Sequence, residues 1–184
     1  MKISVPATRI LTFDIENRPL SYWFDGQTTA EITCIAWSWG KQVTAMALGD
    51  HSLDTILVAF REAYDQADIV TGHYIRKHDL PILNSHMLEA GMSPLSGKLT
   101  HDTRLDFRKG KDLSLSQESL AAMLGCKAPK VKMDQTKWRA ANRLSGDGIA
   151  LTVERCVGDV KQHMEMRGKL LELGWLRPPR MWRP

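Results

Sequence analysis

The order in which two hydrophobic periodicities follow one another restricts the fold of this chain more than any other feature. Short apolar runs rich in β-branched and aromatic residues are typical of strands, and apolar residues at three- and four-residue spacing are typical of helices. The pattern predicts strands at 9–16, 32–40, 42–49, 68–73 and 98–104. Between them it predicts helices at 51–67, with Ser52 as N-cap, and at 78–91, starting near Pro81.

The rest of the chain is predicted to be helical. Helices are predicted at 114–125, ending at a glycine, at 134–144 and at 148–174. One apolar stripe of the last helix is predicted to face the core, namely Val153, Val157, Val160, Met164 and Leu171. This order predicts an α/β domain with a mixed five-stranded sheet, three antiparallel strands and then parallel strands, flanked by helices. No glycine-rich phosphate loop follows a strand, which disfavours a nucleotide-binding fold of that type.

Composition limits the kind of partner. The 184 residues predict one domain at 1–174 and a basic tail at 175–184 that contains proline and tryptophan. A net charge of +4 permits a nucleic-acid partner. The three cysteines are far apart and form no Cys-x-x-Cys pair, so a reducing cytoplasm is expected. No apolar run reaches membrane-spanning length and the first residues lack a signal-peptide core, so no membrane partner is expected.

Four acidic residues form the candidate site. Asp14 and Glu16, in "RILTFDIENRP", are one residue apart on a strand and therefore point to the same face. Two such carboxylates repel unless a hard cation joins them, although hydrated side chains at a strand end are the plainer alternative. Asp79 follows the fourth strand and could be a helix N-cap, and Asp159 in the last helix could be merely solvated. The hypothesis is that these four acidic residues converge at one edge of the sheet.

Three segments carry a family resemblance. "LTFDIEN", "ADIVTGHYIRKHDLPIL" and "TVERCVGDVKQHME" resemble, in order, the three motifs of the DnaQ-like (DEDD) exonuclease superfamily, which has the ribonuclease H-like fold. "THDTR" and "SLSQESLAAMLG" resemble the strand and helix that lie between the second and third motifs. "KMDQTKWRAA" resembles the linker of compact, phage-type members. The resemblance runs from about residue 9 to about residue 173.

The resemblance implies a phosphodiesterase site with two Mg²⁺ or Mn²⁺ ions. Asp14 would bridge both ions, Glu16 and Asp159 would complete the ion on the nucleophile side, and Asp79 would hold the second. The implied activity is 3′→5′ exonuclease action, on DNA rather than RNA, in bacterial or phage replication, repair or recombination. A structure-specific endonuclease that cuts flaps, forks or Holliday junctions is the alternative, and an inactive nucleic-acid-binding module is a further one. The oligomeric state stays open, and a dimer would fit junction cleavage.

The third motif departs from the family pattern. The family places a Tyr four residues, or a His five residues, before the last Asp, and this chain has Arg155 and Glu154 there. Arginine stays protonated, so Arg155 is predicted to hold a phosphate or stabilise the transition state rather than act as a base. His163, one helical turn after Asp159, is either a displaced general base or an exposed surface histidine. His73 and His78 raise the same question.

A basic segment lies between the second and third motifs. "KAPKVKMDQTKWRAANR" contains Lys127, Lys130, Lys132, Lys137, Arg139 and Arg143 beside Trp138. Cations that track phosphates beside a ring that stacks on bases suit single-strand binding. Lys132, Lys137 and Trp138 are the predicted contacts. The alternative is a solvated basic face with Trp138 as a packing anchor.

Overall fold

The computed structural model describes residues 7–20, 29–108, 110–128 and 131–184. Lys130, one of the predicted basic residues, lies outside them. The described residues contain six strands in one sheet: β1 (Ile10–Pro19), β2 (Ala30–Ser38), β3 (Val43–Ala47), β4 (Ile69–Gly72), β5 (Lys98–Asp102) and β6 (Arg180–Trp182).

The sheet is mixed, with the spatial order β3-β2-β1-β4-β5-β6. β1 pairs antiparallel with β2, which pairs antiparallel with β3. β4 runs parallel to β1 on its other side, and β5 runs parallel to β4. β1 is therefore an interior strand, and the α/β class with antiparallel and then parallel strands is confirmed. The architecture is compatible with a ribonuclease H-like fold.

The described part of the chain contains five helices. They are α1 (Leu53–Gln66), α2 (Asp79–Glu89), α3 (Gln117–Met123), α4 (Gln135–Asn142) and α5 (Gly146–Glu172). The predicted N-cap Ser52 accepts a hydrogen bond from the backbone of Thr55, which satisfies a donor that the first turn leaves open. Gly125 follows α3 with a φ of 61°, the left-handed conformation that glycine adopts without strain.

The strand alternation assigns the helices to opposite faces of the sheet. Phe13 and Ile15 of β1 pack into a buried cluster with residues of α1 and α2. Cys34 and Ala36 of β2, with the opposite orientation, pack against Cys156 and Val160 of α5. Asp14 and Glu16 alternate with Phe13 and Ile15, so they share the α5 side of the sheet.

Two features differ from the sequence predictions. The tail, which has no hydrophobic periodicity, contributes β6, which pairs antiparallel with β5 and makes the sheet six-stranded. Leu171 was predicted to face the core, but it is 44% exposed, and Leu170 is buried instead. Over the 27 residues of α5, the face that a fixed residue spacing follows rotates slowly around the helix axis. A stripe that faces the core near the middle of the helix therefore no longer faces it at the end.

All three cysteines are free. None of the helices in the described ranges is long and apolar enough to cross a membrane.

Candidate active site

A cluster of three carboxylates joins β1 to α5. Asp14, Glu16 and Asp159 each offer one oxygen, and these oxygens all lie within 4.8 Å of one another. The β1–β2 register shifts between Glu16 and Asn17, and such irregularities re-aim side chains beside functional sites. Residues separated by 143 positions are thus brought within the reach of a single cation, as the sequence predicted for these three.

Asp79 lies beside the cluster, at the start of α2. Its side chain is buried, and Oδ1 accepts a hydrogen bond from the backbone nitrogen of Ile15 at 3.3 Å. His78 occupies the N-cap position of α2, so the alternative interpretation of Asp79 as a helix cap is wrong. Asp79 lines the same cleft as Asp14, Glu16 and Asp159. All four predicted acidic residues therefore lie at one place.

The cluster is electrostatically strained. Burial raises the pKa of Asp14 well above its usual value, and the carboxylates of Asp79, Glu16 and Asp159 raise it further. Burial also raises the pKa of Asp79, against the opposing effect of its hydrogen bond with His78. A divalent cation would relieve both effects, because it supplies the charge that the carboxylates lack. The donor set, carboxylate oxygens only, fits Mg²⁺ or Mn²⁺ better than zinc.

Arg155 is the basic residue inside the cluster. Its Nε donates to Glu16 Oε1 at 2.6 Å, and its Nη2 lies 3.5 Å from Asp159 Oδ2. Its guanidinium also lies over the ring of Trp138, 5.2 Å from the centroid. Although partial burial acts to lower the pKa of Arg155, Glu16 and Asp159 raise it overall, so the side chain is charged. Arg155 is thus a fixed cation rather than a base.

The position of His163 contradicts one of the two interpretations offered by the sequence. It is 2% exposed, so the prediction of a surface histidine is wrong. Its Nε2 lies 3.0 Å from the Thr71 hydroxyl and its Nδ1 lies 3.3 Å from the Thr103 hydroxyl. Burial lowers the pKa of His163 well below its usual value. The ring is a neutral core group engaged by two threonines, which gives no support to a general-base role.

His78 is a titratable group that lines the acidic cleft, and it is about half exposed. Its Nδ1 lies 3.3 Å from Asp79 Oδ2, and this hydrogen bond raises the pKa of His78. His73 also reaches the cleft, but its ring nitrogens contact the Thr103 hydroxyl and the Leu115 carbonyl, both at 2.9 Å. His78 is therefore the histidine better placed to exchange a proton with solvent in the cleft.

Tyr74 and Arg104 are absent from the site residues that the sequence predicted. Both line the cleft of about 350 Å³ that contains the acidic cluster. Tyr74 is only partly buried. The available signal was weak: each residue lies two positions after the end of a strand of a parallel pair, where the loops of α/β proteins carry functional side chains.

The predicted nucleic-acid contacts divide into two groups. Trp138, 38% exposed, borders the acidic cleft together with Arg155. Lys132 and Lys137 line a second cleft of about 970 Å³ along α5. A third cleft of about 450 Å³, which includes Lys132, Trp138 and Arg155, shares residues with each of the two. A path from the carboxylates to the lysines thus passes Trp138.

Comparison with known proteins supports the fold and leaves the activity open. No family model matches the chain, and no curated protein matches it. Among solved structures, the family B DNA polymerase from the hyperthermophilic archaeon Pyrobaculum calidifontis superposes on 90% of this chain with a TM-score of 0.65 at 14% sequence identity. The match covers 25% of the polymerase chain. At this level of identity the likeness shows that this chain shares its fold with part of a DNA polymerase.

Proposed function

We propose that the protein is a divalent-metal-dependent nuclease that hydrolyses phosphodiester bonds of DNA. The observation that carries the proposal is the convergence of Asp14, Glu16 and Asp159 within 4.8 Å, with Asp79 beside them. Four carboxylates at one place are costly to maintain without cations. The structural neighbour is a DNA polymerase, which favours DNA over RNA as the substrate.

Asp14, Glu16 and Asp159 would hold one ion, and Asp14 with Asp79 a second. When bound, such ions activate water for attack on phosphorus and stabilise charge on the leaving oxygen. Mg²⁺ and Mn²⁺ are the proposed ions because the ligands are all carboxylates.

The chain's own residues would bind and orient the substrate. Arg155 lies between the carboxylates and Trp138, where its guanidinium can contact a phosphate oxygen that enters the cluster. Trp138 offers a partly exposed ring on which a base can stack. Lys132 and Lys137 would neutralise phosphates farther along the strand. His78 can donate a proton or a hydrogen bond at the cleft surface.

The proposed mode is 3′→5′ exonuclease action, which the motif order favours. The departure at Arg155 keeps internal cleavage at branched DNA as the alternative, because the family's water-orienting Tyr or His is replaced by a cation. A substrate panel separates the two modes.

The test is cleavage of DNA labelled separately at its 5′ and 3′ ends, with Mg²⁺ or Mn²⁺. The panel contains single strands, duplex, 5′-flap, replication fork and four-way junction, and RNA is included for comparison. The double variant Asp14→Ala/Asp159→Ala is the control for contaminating nucleases.

A ladder of 5′-labelled products that shortens from the 3′ end, absent with the double variant, is the expected result. Discrete cuts near branch points would replace the exonuclease by the endonuclease. No metal-dependent cleavage of any substrate would overturn the enzyme proposal and leave a nucleic-acid-binding module.

A further inference from the structure

We propose that Arg104, whose guanidinium lies over the ring of Tyr74, binds a backbone phosphate of the nucleic-acid strand on the wall of the acidic cleft formed by the loops after β4 and β5. The inference rests on the proposed function and adds a binding residue to the same site. The guanidinium carbon of Arg104 lies 4.1 Å from the centroid of the Tyr74 ring, and both residues line the cleft that contains Asp14.

One buried carboxylate fixes both residues of this pair. Asp102 is 0% exposed, and its Oδ1 accepts hydrogen bonds from the backbone nitrogens of Tyr74 and Arg104, each at 3.0 Å. Arg76 donates to Asp106 at 2.7 Å behind them, and Asp106 in turn accepts from the backbone nitrogen of Asp102 at 2.9 Å. The position of the pair is therefore set by buried hydrogen bonds, while its side chains face the cleft.

The backbone of Tyr74 is held in an unfavourable conformation. Its φ is 71°, in the left-handed region that a residue with a bulky side chain rarely adopts. Such conformations are destabilising and persist where surrounding interactions enforce them, often at functional sites. Here the hydrogen bond from the Tyr74 nitrogen to Asp102 enforces it, and the strained residue is the one that supports Arg104.

The chemistry of a stacked guanidinium suits a phosphate. Stacking uses the face of the guanidinium and leaves the N–H groups along its edge free to donate in its plane. Arg104 is exposed, whereas Arg155 is already paired with Glu16 and Asp159. The cleft is thus lined by two cations: Arg155, which is tied to the carboxylates, and Arg104, which is available to a phosphate.

The test is the salt dependence of binding to a fluorescein-labelled oligothymidylate, measured by anisotropy in Ca²⁺. The integrity of the oligonucleotide is checked on a gel after each titration. Each phosphate contact contributes about 0.7 to the slope of log Kd against log salt for single strands. We expect Arg104→Gln to weaken binding by about three- to tenfold at low salt and to reduce the slope by about 0.7. Arg104→Lys, which keeps the charge, retains the slope.

Two further variants separate binding from structure. Tyr74→Leu keeps the charge of Arg104 but removes its support, so affinity falls while the slope changes little. Arg9→Gln is the matched control, since Arg9 is also exposed and stacks on a ring, that of Trp39 at 4.8 Å. Arg9 precedes β1 by one residue, about 16 Å along the strand from Asp14. Its substitution leaves affinity and slope unchanged.

An Arg104→Gln variant with wild-type affinity and slope would overturn the inference while the nuclease proposal stands. Loss of affinity equal in Arg104→Gln and Arg104→Lys, with an unchanged slope, would also overturn it, because the effect would be structural. A wild-type protein that binds no nucleic acid would overturn both proposals.

Discussion

Replacing Arg155 by methionine removes the fixed cation of the acidic cluster and retains an apolar stem that can pack on Trp138. Unit charges about 4 Å apart attract by about 4 kcal/mol at an effective dielectric constant of about 20. The side chains of Arg155 and Glu16 keep 18% and 12% of their surface exposed, so solvent reduces this attraction. With the repulsion left among the carboxylates, we expect a loss of about 2 kcal/mol in the free energy of unfolding without metal.

Added metal should stabilise Arg155→Met more than it stabilises the wild type. Without Arg155 the cluster carries one more uncompensated negative charge, so Arg155→Met binds Mn²⁺ more tightly than the wild type does. An electrostatic gain of about 2 kcal/mol corresponds to about thirtyfold in Kd. Stabilisation by a ligand of the native state grows with its concentration relative to Kd. The difference in melting temperature between Arg155→Met and the wild type should therefore decrease as Mn²⁺ is added.

The assay is thermal unfolding in EDTA and across a Mn²⁺ titration. For a chain of this length, about 2 kcal/mol corresponds to a drop of about 4–8 °C in EDTA. Arg139→Met, on the exposed face of α4, is the control and should melt close to the wild type under both conditions. If Arg155→Met melts like the wild type in EDTA, or if its Mn²⁺ shift is no larger, Arg155 does not neutralise the cluster.

Three further predictions concern Asp14, Trp138 and His163. Asp14→Asn should abolish cleavage yet raise the melting temperature in EDTA by about 2–4 °C at pH 7, because it removes a strained carboxylate. Since the pKa of Asp14 is raised in the folded protein, the wild type loses stability as pH rises above the ordinary pKa of 3.8. The difference in melting temperature between Asp14→Asn and the wild type should therefore widen from pH 4 to pH 7 in calorimetric scans. A constant difference would contradict the raised pKa of Asp14. Trp138→Ala should weaken single-strand binding, measured by anisotropy, about tenfold, and Trp138→Phe should weaken it much less. Equal losses of affinity in the two variants would refute a stacking role of Trp138. Because the pKa of His163 is lowered in the folded protein, protonation of the unfolded chain below about pH 6.5 destabilises the wild type by up to about 1.4 kcal/mol per pH unit. His163→Gln should show a shallower loss of stability from pH 7 to pH 5 and an unchanged pH profile of cleavage, whereas a shifted profile would restore His163 as a base.

The sequence predicted the order of the elements from β1 to α5 and the four acidic residues that meet at one place. Alternation on β1 placed Asp14 and Glu16 on one face, and the bounds of α1 followed from its cap and periodicity. Local pattern could not reveal β6, because a three-residue edge strand gains its order from pairing with β5 rather than from its own periodicity.

Tertiary packing accounts for the misassigned histidine and the missed arginine. One helical turn after Asp159, a residue can face solvent, the cleft or the core, and the positions of Thr71 and Thr103 decide that His163 faces the core. Arg104 reaches the cleft because Asp102 holds the backbone of two loops at once. Neither relation can be predicted from the spacing of residues that are close in the sequence.

The most direct test of the central claim, that Asp14, Glu16 and Asp159 act together as one divalent-cation site, is calorimetric titration of the metal-free protein with Mn²⁺. We expect saturable Mn²⁺ binding by the wild type and its loss in Asp14→Asn, whose fold is checked by circular dichroism. Glu89→Gln, a carboxylate on α2 that pairs with His86, should bind Mn²⁺ like the wild type. Absence of Mn²⁺ binding by the wild type, or binding that Asp14→Asn leaves unchanged, would contradict the account.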